Sequence, residues 1–216
     1  MPGTGTDTAP TPVDFWFDPL CPWTWMTSRW LLEVAEQREL AVNWRVMSLA
    51  ILNQDKLDQV PEEYHELLGP KGWRPIRVLS AARALGGNDA VAALYTALGA
   101  QFHRDGQGPT LEAIGIALEQ AGLPAKLAEE ADASTYDDEI RASHQAAQDG
   151  VGEEAGSPVL AVPNAEGGRT AFFGPIASPI PRGAEALRLW DATLLLASVP
   201  GAAELKRSRS AGPSFE

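Results

Sequence analysis

The chain has almost no cysteine: Cys21 is the only one among its 216 residues. An internal disulfide is therefore excluded, and a lone thiol is consistent with a reducing compartment. No apolar run is long enough to cross a bilayer, and the first residues lack the basic and apolar regions of a signal peptide. These absences predict a cytoplasmic protein that does not associate with membranes.

Positive charge is scarce as well. Lysine and arginine number 17 against 29 acidic residues, which gives a net charge of −12. Such a chain lacks the basic surface that binds nucleic acid or anionic membranes. The short run Lys206–Arg209 does not reverse this balance, and we expect it to lie in a solvated tail. The histidines show no metal-ligand spacing and no glycine-rich phosphate loop follows a strand, so we expect neither a metal nor a nucleotide.

The pattern that is present begins with alternation in "VDFWFD", residues 13 to 18, which predicts a strand with two apolar faces. A helical pattern starts at Pro22, whose fixed φ suits a first helical turn. A second strand is predicted over residues 41 to 49. Strand, helix and strand in this order predict a right-handed βαβ unit with parallel strands.

Residues 55 to 149 carry apolar residues at helical spacing, interrupted by glycine and proline. Two short strands follow, "SPVLAVP" and "TAFFG", and then a helix over residues 183 to 199. The order predicts an α/β protein with a thioredoxin fold that contains an inserted all-helical domain. We predict a flexible arm over residues 1–12, a thioredoxin-like domain over 13–54 and 150–200, the inserted domain over 55–149, and a tail over 201–216.

Four stretches carry a family resemblance: "DFWFDPLCPWTWMTSRWLLEV", "VMSLAILN", "GSPVL" and "FFGPI" with "IPRG" and "LW" after it. They resemble the DsbA-like superfamily, which includes kappa-class glutathione transferases and 2-hydroxychromene-2-carboxylate isomerases, and most of all its mycothiol-dependent nitroreductases from actinobacteria. The resemblance implies a thiol-disulfide oxidoreductase with mycothiol or another small thiol as co-substrate. It departs at one place, because the family pattern Cys-Pro-Trp-Cys ends here in Thr24.

Cys21 is predicted to be the N-cap of the first helix, where unpaired N–H groups and the helix dipole favour an anion. We therefore expect the pKa of its thiol to be lowered, into the range of roughly 3.5 to 7.5. Thr24 falls three residues later, and its side chain points back toward the N-cap. Its hydroxyl is expected to stabilise the thiolate, but it cannot attack a mixed disulfide.

Three functions follow from a site with one thiol. Cys21 and Thr24 are the predicted catalytic residues of a reductase that passes electrons from mycothiol to a disulfide or to a nitro- or quinone-like acceptor through a mixed disulfide. The first alternative is a transferase or isomerase that holds the thiolate of a bound thiol cofactor. The second is a ligand-binding relative without catalysis. The expected partners are a small thiol and a small acceptor, and the sequence leaves the oligomeric state open.

Ser157 and Pro158 match the cis-proline loop of thioredoxin folds. The resemblance implies that this loop turns the backbone N–H and C=O of Ser157 toward Cys21, where they bind an extended thiol substrate. Asp18 ends the first strand. It is either a buried carboxylate suited to proton transfer or a cap of the loop before Pro19, and we favour the cap.

The remaining candidates surround the cysteine. Pro22 and Trp23 follow it directly, and Trp23 is expected to offer a stacking surface. Asn53 and Tyr64 follow the second parallel strand, whose carboxyl end shares the edge of the sheet at which ligands bind. His103 ends a helix whose apolar face is predicted to reach the cleft. We also expect the helical region to move and gate the cleft.

Overall fold

The computed structural model describes residues 9–215, and the predicted order of strands and helices is confirmed. Short helical turns occupy Leu57–Gln59, Glu62–Tyr64, Ala100–Arg104 and Ala125–Asp132. The strands are β1 (Thr11–Phe17), β2 (Leu40–Val46), β3 (Val159–Pro163) and β4 (Arg169–Phe173). The helices are α1 (Pro22–Ala35), α2 (Leu49–Asn53), α3 (Pro70–Gly99), α4 (Leu111–Gln120), α5 (Asp137–Val151) and α6 (Gly183–Ala197).

The sheet has the strand order β2-β1-β3-β4. The pair β1 and β2 is parallel, whereas β3 runs antiparallel to both β1 and β4. The central position of β1 follows from its sequence, because Phe15 and Phe17 belong to the core on one face and Trp16 to the core on the other. A strand with two apolar faces must be covered on both sides.

Helices supply these two covers. On the face of Phe15, α1 and α6 pack together, and Trp30 Nε1 of α1 donates a hydrogen bond to Ala186 O of α6 at 3.0 Å. On the other face, Ala147 of α5 packs in the core around Trp16. The hydroxyl of Ser143 in α5 donates to Val46 O of β2 at 2.7 Å. The sheet is therefore the middle layer of three.

The region between β2 and β3 is helical, as predicted. Its longest helix, α3, is interrupted at Gly86 and Gly87, where the sequence predicts a stop. Gly87 has a φ of 66°, a conformation that residues with a Cβ rarely adopt. The division into an inserted domain over residues 55–149 stays a prediction. Within that stretch, α5 packs directly on the sheet.

Some boundaries differ from the sequence prediction. Of the predicted arm over 1–12, residues 1–8 lie outside the described part, and Thr11 already pairs with Leu40 in β1. The second strand ends at Val46 and not at residue 49, because the hydroxyl of Ser48 accepts a hydrogen bond from Ile51 N and starts α2. In the described part, no helix is long and apolar enough to cross a membrane.

Candidate active site

Cys21 lies where the chain leaves β1 and enters α1. It is the N-cap of α1, with Pro22 as the first helical residue, as the sequence predicts. The Cys21 N–H donates to Asp18 O at 3.1 Å, and Trp25 N–H donates to Cys21 O at 3.1 Å. Only 6% of the cysteine is exposed. The thiol therefore sits at a helix start, and solvent barely reaches it.

The loop before β3 contacts the sulfur. Cys21 Sγ donates to the backbone carbonyl of Ser157 at 3.4 Å. The peptide bond between Ser157 and Pro158 is cis, as are two others in the segment that follows β4. The carbonyl that accepts this hydrogen bond belongs to Ser157, whose backbone the family resemblance places against Cys21.

A hydroxyl pair lies beside the thiol. Thr24 is fully buried, and its Oγ1 is 2.6 Å from Ser157 Oγ. The same Ser157 oxygen accepts a hydrogen bond from Asp18 N at 2.9 Å. One serine side chain thus connects the end of β1 with the first turn of α1. The sequence predicts only a backbone role for Ser157, because nothing in its local pattern shows that its hydroxyl meets residues more than 130 positions away.

Asp18 is buried without a salt bridge among the described residues, and only 1% of it is exposed. Its two carboxylate oxygens accept hydrogen bonds from Leu20 N at 2.8 Å and from Leu49 N at 2.7 Å. Burial raises the pKa of Asp18 to about 6, although these two N–H groups act in the opposite direction. The residue is both of the things that the sequence offered as alternatives: a loop cap and a buried carboxylate.

The prediction of a lowered pKa for Cys21 is wrong for this structure. Burial raises the pKa of the thiol above its ordinary value, and the nearby charge of Asp18 adds to the effect. The nearby Thr24 hydroxyl and the backbone N–H groups of Thr24 and Trp23 act to lower the pKa, but they do not compensate for the burial. The helix start acts as expected, and desolvation outweighs it.

The stretch of chain that contains Cys21 and the proline loop matches the model of a known family. Residues 20–207 match the model of the Rv2466c-like family, whose description is mycothiol-dependent nitroreductase Rv2466c. The chain belongs to the Rv2466c-like family. It is also 32% identical to the uncharacterized protein Rv2286c of Mycobacterium tuberculosis, over 93% of this chain and 83% of that protein.

Two solved structures show the fold at lower identity. The cytosolic disulfide reductase DsbM from Pseudomonas aeruginosa is 19% identical, with a TM-score of 0.54, over 86% of this chain and 100% of DsbM. A 2-hydroxychromene-2-carboxylate isomerase is 16% identical, with a TM-score of 0.55, over 84% of this chain and 93% of the isomerase. The predicted thioredoxin fold of the DsbA-like class is confirmed. Family membership supports a thiol-dependent oxidoreductase, the enzyme class that the sequence predicts.

The two tryptophans beside Cys21 differ in this family member. Trp25 is buried, as expected, and a Cβ on Gly99 would come within 2.0 Å of its ring. The guanidinium of Arg29 lies over the Trp25 ring at 4.0 Å from its centroid. Trp23 is only half-buried, and its ring is 4.6 Å from the guanidinium of Arg209. Trp23 is therefore partly accessible to solvent, with Arg209 over one face of its ring, and its role as a stacking surface stays a prediction.

In the described part of this Rv2466c-like chain, no hydrogen bond joins Asn53 or Tyr64 to Cys21. The side chain of Asn53 donates to Leu49 O at 2.7 Å, one turn earlier in α2. Tyr64 is 47% exposed in a short helical turn. A cleft of about 480 Å³ beside that turn does not include Cys21. Its lining residues are Glu63, Glu66, Leu67, Lys71, Arg74, Gly108, Pro109, Thr110 and Leu111.

Two contacts reach the site from far along the chain. His103 Nε2 donates to Pro19 O at 2.8 Å, and burial lowers the pKa of His103 to about 4, so the ring is neutral at pH 7. The helical pattern had indicated this histidine. Phe215, by contrast, packs with its ring centroid 5.6 Å from that of His103, although the tail was expected to be solvated. An aromatic residue at the end of a polar segment was the one local sign of this contact.

Proposed function

We propose that this protein is a monothiol reductase that uses mycothiol to reduce disulfides, or nitro- and quinone-like acceptors, through a mixed disulfide on Cys21. One observation carries the proposal: the chain's single thiol is the N-cap of α1, and a hydroxyl, that of Thr24, occupies the place of a second cysteine. Thiol–disulfide exchange needs one thiolate and an accessible disulfide. The site offers a thiol, which must lose its proton before it attacks, and it lacks a resolving thiol.

In the first step, the Cys21 thiolate attacks a substrate disulfide. A bond forms between the two sulfurs, the substrate S–S bond breaks, and one substrate thiolate leaves. Asp18 is the group beside the thiol that we propose to take up its proton, because its pKa of about 6 allows both protonation states near neutral pH. The backbone of Ser157 and the cis Pro158 would bind the extended substrate, next to Pro22 and Trp23.

In the second step, mycothiol resolves the mixed disulfide. One mycothiol thiolate displaces the second substrate thiol and remains attached to Cys21. Another attacks that adduct, releases mycothiol disulfide and returns the Cys21 thiolate, so two thiols are oxidised for each disulfide reduced. The net charge of −12 suits an uncharged sugar-linked thiol better than an anionic one. These reactions require a reducing compartment, and we place the protein in the cytoplasm.

A second candidate function is a transferase or isomerase that holds the thiolate of a bound thiol cofactor. The observation that favours it is the buried hydroxyl pair of Thr24 and Ser157, 2.6 Å apart, since hydroxyl donors can stabilise a thiolate without forming a covalent bond. The fold likeness to a 2-hydroxychromene-2-carboxylate isomerase is compatible with this candidate.

Asn53 and Tyr64 are proposed to reach the substrate only after the helical region closes or shifts. In the structure they belong to the stretch that leads from β2 toward α3, and among the described residues neither forms a hydrogen bond with Cys21. Hydrogen-exchange protection around residues 53 and 150 should therefore change when Cys21 carries a covalent adduct. Identical protection with and without the adduct would remove both residues from the proposed site.

The decisive experiment compares wild type, Thr24→Cys and Cys21→Ser with mycothiol. Intact mass after incubation with oxidised mycothiol, glutathione and coenzyme A identifies the thiol that forms an adduct. The reductase predicts a long-lived mycothiol adduct in wild type and faster release of the first mycothiol in Thr24→Cys, because a thiol three residues along the helix start can form an internal disulfide.

The same proteins separate the other functions. If a cofactor thiol does the chemistry, Cys21→Ser retains appreciable activity on isomerisation substrates and Thr24→Cys brings no gain. If all three proteins are equally inactive on disulfides, nitroaromatics and isomerisation substrates, the chain is a binding protein without catalysis at this site.

A further inference from the structure

The segment after α6 returns to the active site. We call residues 203–215 the strap. Three of its residues contact the rest of the protein: Arg209 lies over the ring of Trp23 at 4.6 Å, Gly212 O accepts a hydrogen bond from Ser178 Oγ at 2.8 Å, and Phe215 packs on His103. These contacts follow one another at intervals of three residues.

The first and last contacts reach residues that come just after and just before Cys21 in the sequence. Trp23 is two residues after Cys21, in the first turn of α1. His103 holds the carbonyl of Pro19, two residues before Cys21, through a hydrogen bond of 2.8 Å. Phe215 covers the imidazole that makes this bond and packs against the main core. A molecule that approaches Cys21 across the face of Trp23 therefore meets the strap.

The contacts themselves are weak enough to open. Arg209 is exposed although it lies on Trp23, and an exposed cation–π contact contributes little to stability. Leu205 is 88% exposed, so the first part of the strap is not held by apolar packing. The family match ends at residue 207, before all three contacts. The contacting part of the strap thus lies outside the region that the family model describes.

We infer that the strap is an intramolecular gate: residues 209–215 occupy the surface on which a thiol or acceptor docks, and they must leave it before Cys21 reacts. The gate would regulate the reaction of Cys21, so this inference rests on the proposed thiol chemistry. The 6% exposure of Cys21 describes the closed state. Opening would expose the ring face of Trp23 and the side of the Asp18–Cys21 loop that His103 supports.

Alkylation of Cys21 by iodoacetamide tests this without mycothiol. The thiolate displaces iodide and forms a thioether, and intact mass gives the second-order rate. Arg209→Ala and Phe215→Ala should each raise the rate about twofold to fivefold, and a chain ending at Arg207 about tenfold, in line with weak contacts that act together. The matched controls are Arg207→Ala and Leu205→Ala, which remove an exposed side chain of similar type and should leave the rate within about twofold of wild type.

Phe215→Ala leaves the charge unchanged, so a faster reaction in that variant cannot come from an altered pKa of the thiol through charge. Equal rates in wild type, both point variants and the shortened chain would overturn the gate, and so would slower rates, which would mean that the strap helps build the site. If the shortened chain does not fold, the point variants decide. Faster alkylation without any mycothiol adduct would keep the gate and remove the proposed co-substrate.

Discussion

One buried aspartate, Asp14, lies in the middle of strand β1 and another, Asp18, directly follows the strand, and their surroundings are opposite. Asp14 accepts hydrogen bonds from Asn43 Nδ2 and Arg45 Nε, both at 2.8 Å, and pairs with Arg169 as well. Asp18, four residues later, has only two backbone N–H partners for its carboxylate. At about 3.3 Å per residue, the two residues lie roughly 13 Å apart along the chain, one within β1 and the other just after it.

The pKa values follow from these surroundings. Burial acts to raise the pKa of Asp14, but the hydrogen bonds of Arg45 and Asn43 and the charges of Arg45 and Arg169 lower it overall. The pKa of Asp18 rises to about 6 because no cation offsets its burial. A buried carboxylate with its charge compensated holds a sheet together. A buried carboxylate without such compensation, like that of Asp18 near the only thiol, lowers the stability of the fold, and such carboxylates are typical of functional sites.

The largest difference between the surroundings of Asp14 and those of Asp18 should appear in covalent chemistry. Cys21→Ser is expected to lower disulfide reduction with mycothiol at least about a thousandfold, because a serine cannot form the mixed disulfide. Asp14→Asn, in the middle of β1 and away from the thiol, should keep adduct formation near the wild-type rate. Intact mass and turnover measure both. Comparable loss in the two variants would contradict a site confined to one end of β1.

The pH dependence of stability should come next in size. The folded-state pKa of Asp18 lies above that of an unfolded chain, so the native state holds the extra proton between about pH 4 and pH 6. Its stabilising contribution is therefore full below about pH 4 and is lost as the pH rises through about 6, a change of about 2–3 kcal/mol. Urea unfolding of wild type and Asp18→Asn from pH 4 to 7 isolates this change in their difference. A flat difference would show that Asp18 titrates normally.

Asp14 should show the opposite sign. Its pKa is lowered, so its contribution to stability is present above about pH 4 and is lost as the pH falls further. We expect Asp14→Asn to lower the free energy of unfolding at pH 7 by about 1–2 kcal/mol, a modest value because both arginines are partly exposed. The loss should shrink in acid. A loss that stays constant from pH 7 to pH 3 would exclude the ion pairs as its cause.

The smallest effect concerns Thr24. Removing its hydroxyl in Thr24→Val should slow alkylation of Cys21 at pH 8 about threefold to tenfold, since one hydrogen bond that lowers the pKa of the thiol is lost. Thr24→Ser keeps the hydroxyl and should react like wild type. The pH profile of alkylation separates a change in pKa from a change in access. A slower Thr24→Ser would indicate packing and not hydrogen bonding.

Local patterns predicted much of the fold and part of the site. The alternation of Phe15, Trp16 and Phe17 placed β1 in the centre of the sheet, and the strand-to-helix turn placed Cys21 at an N-cap. Asn53 and Tyr64 were predicted only from their place after β2, and the described part of the structure has no hydrogen bond between them and Cys21. Edge position in a sheet does not define which way a later loop turns.

The hydroxyl of Ser157, the contact between Phe215 and His103, and the sign of the Cys21 pKa shift did not follow from local patterns. Each depends on groups that are distant in sequence and meet only after folding. Apolar periods of two and 3.6 residues depend only on residues that are close in sequence, and so does the dipole of a first helical turn. These features can therefore be predicted from the sequence. Desolvation of Cys21 and Asp18 depends on everything that surrounds the atom, and only the packed molecule defines those surroundings.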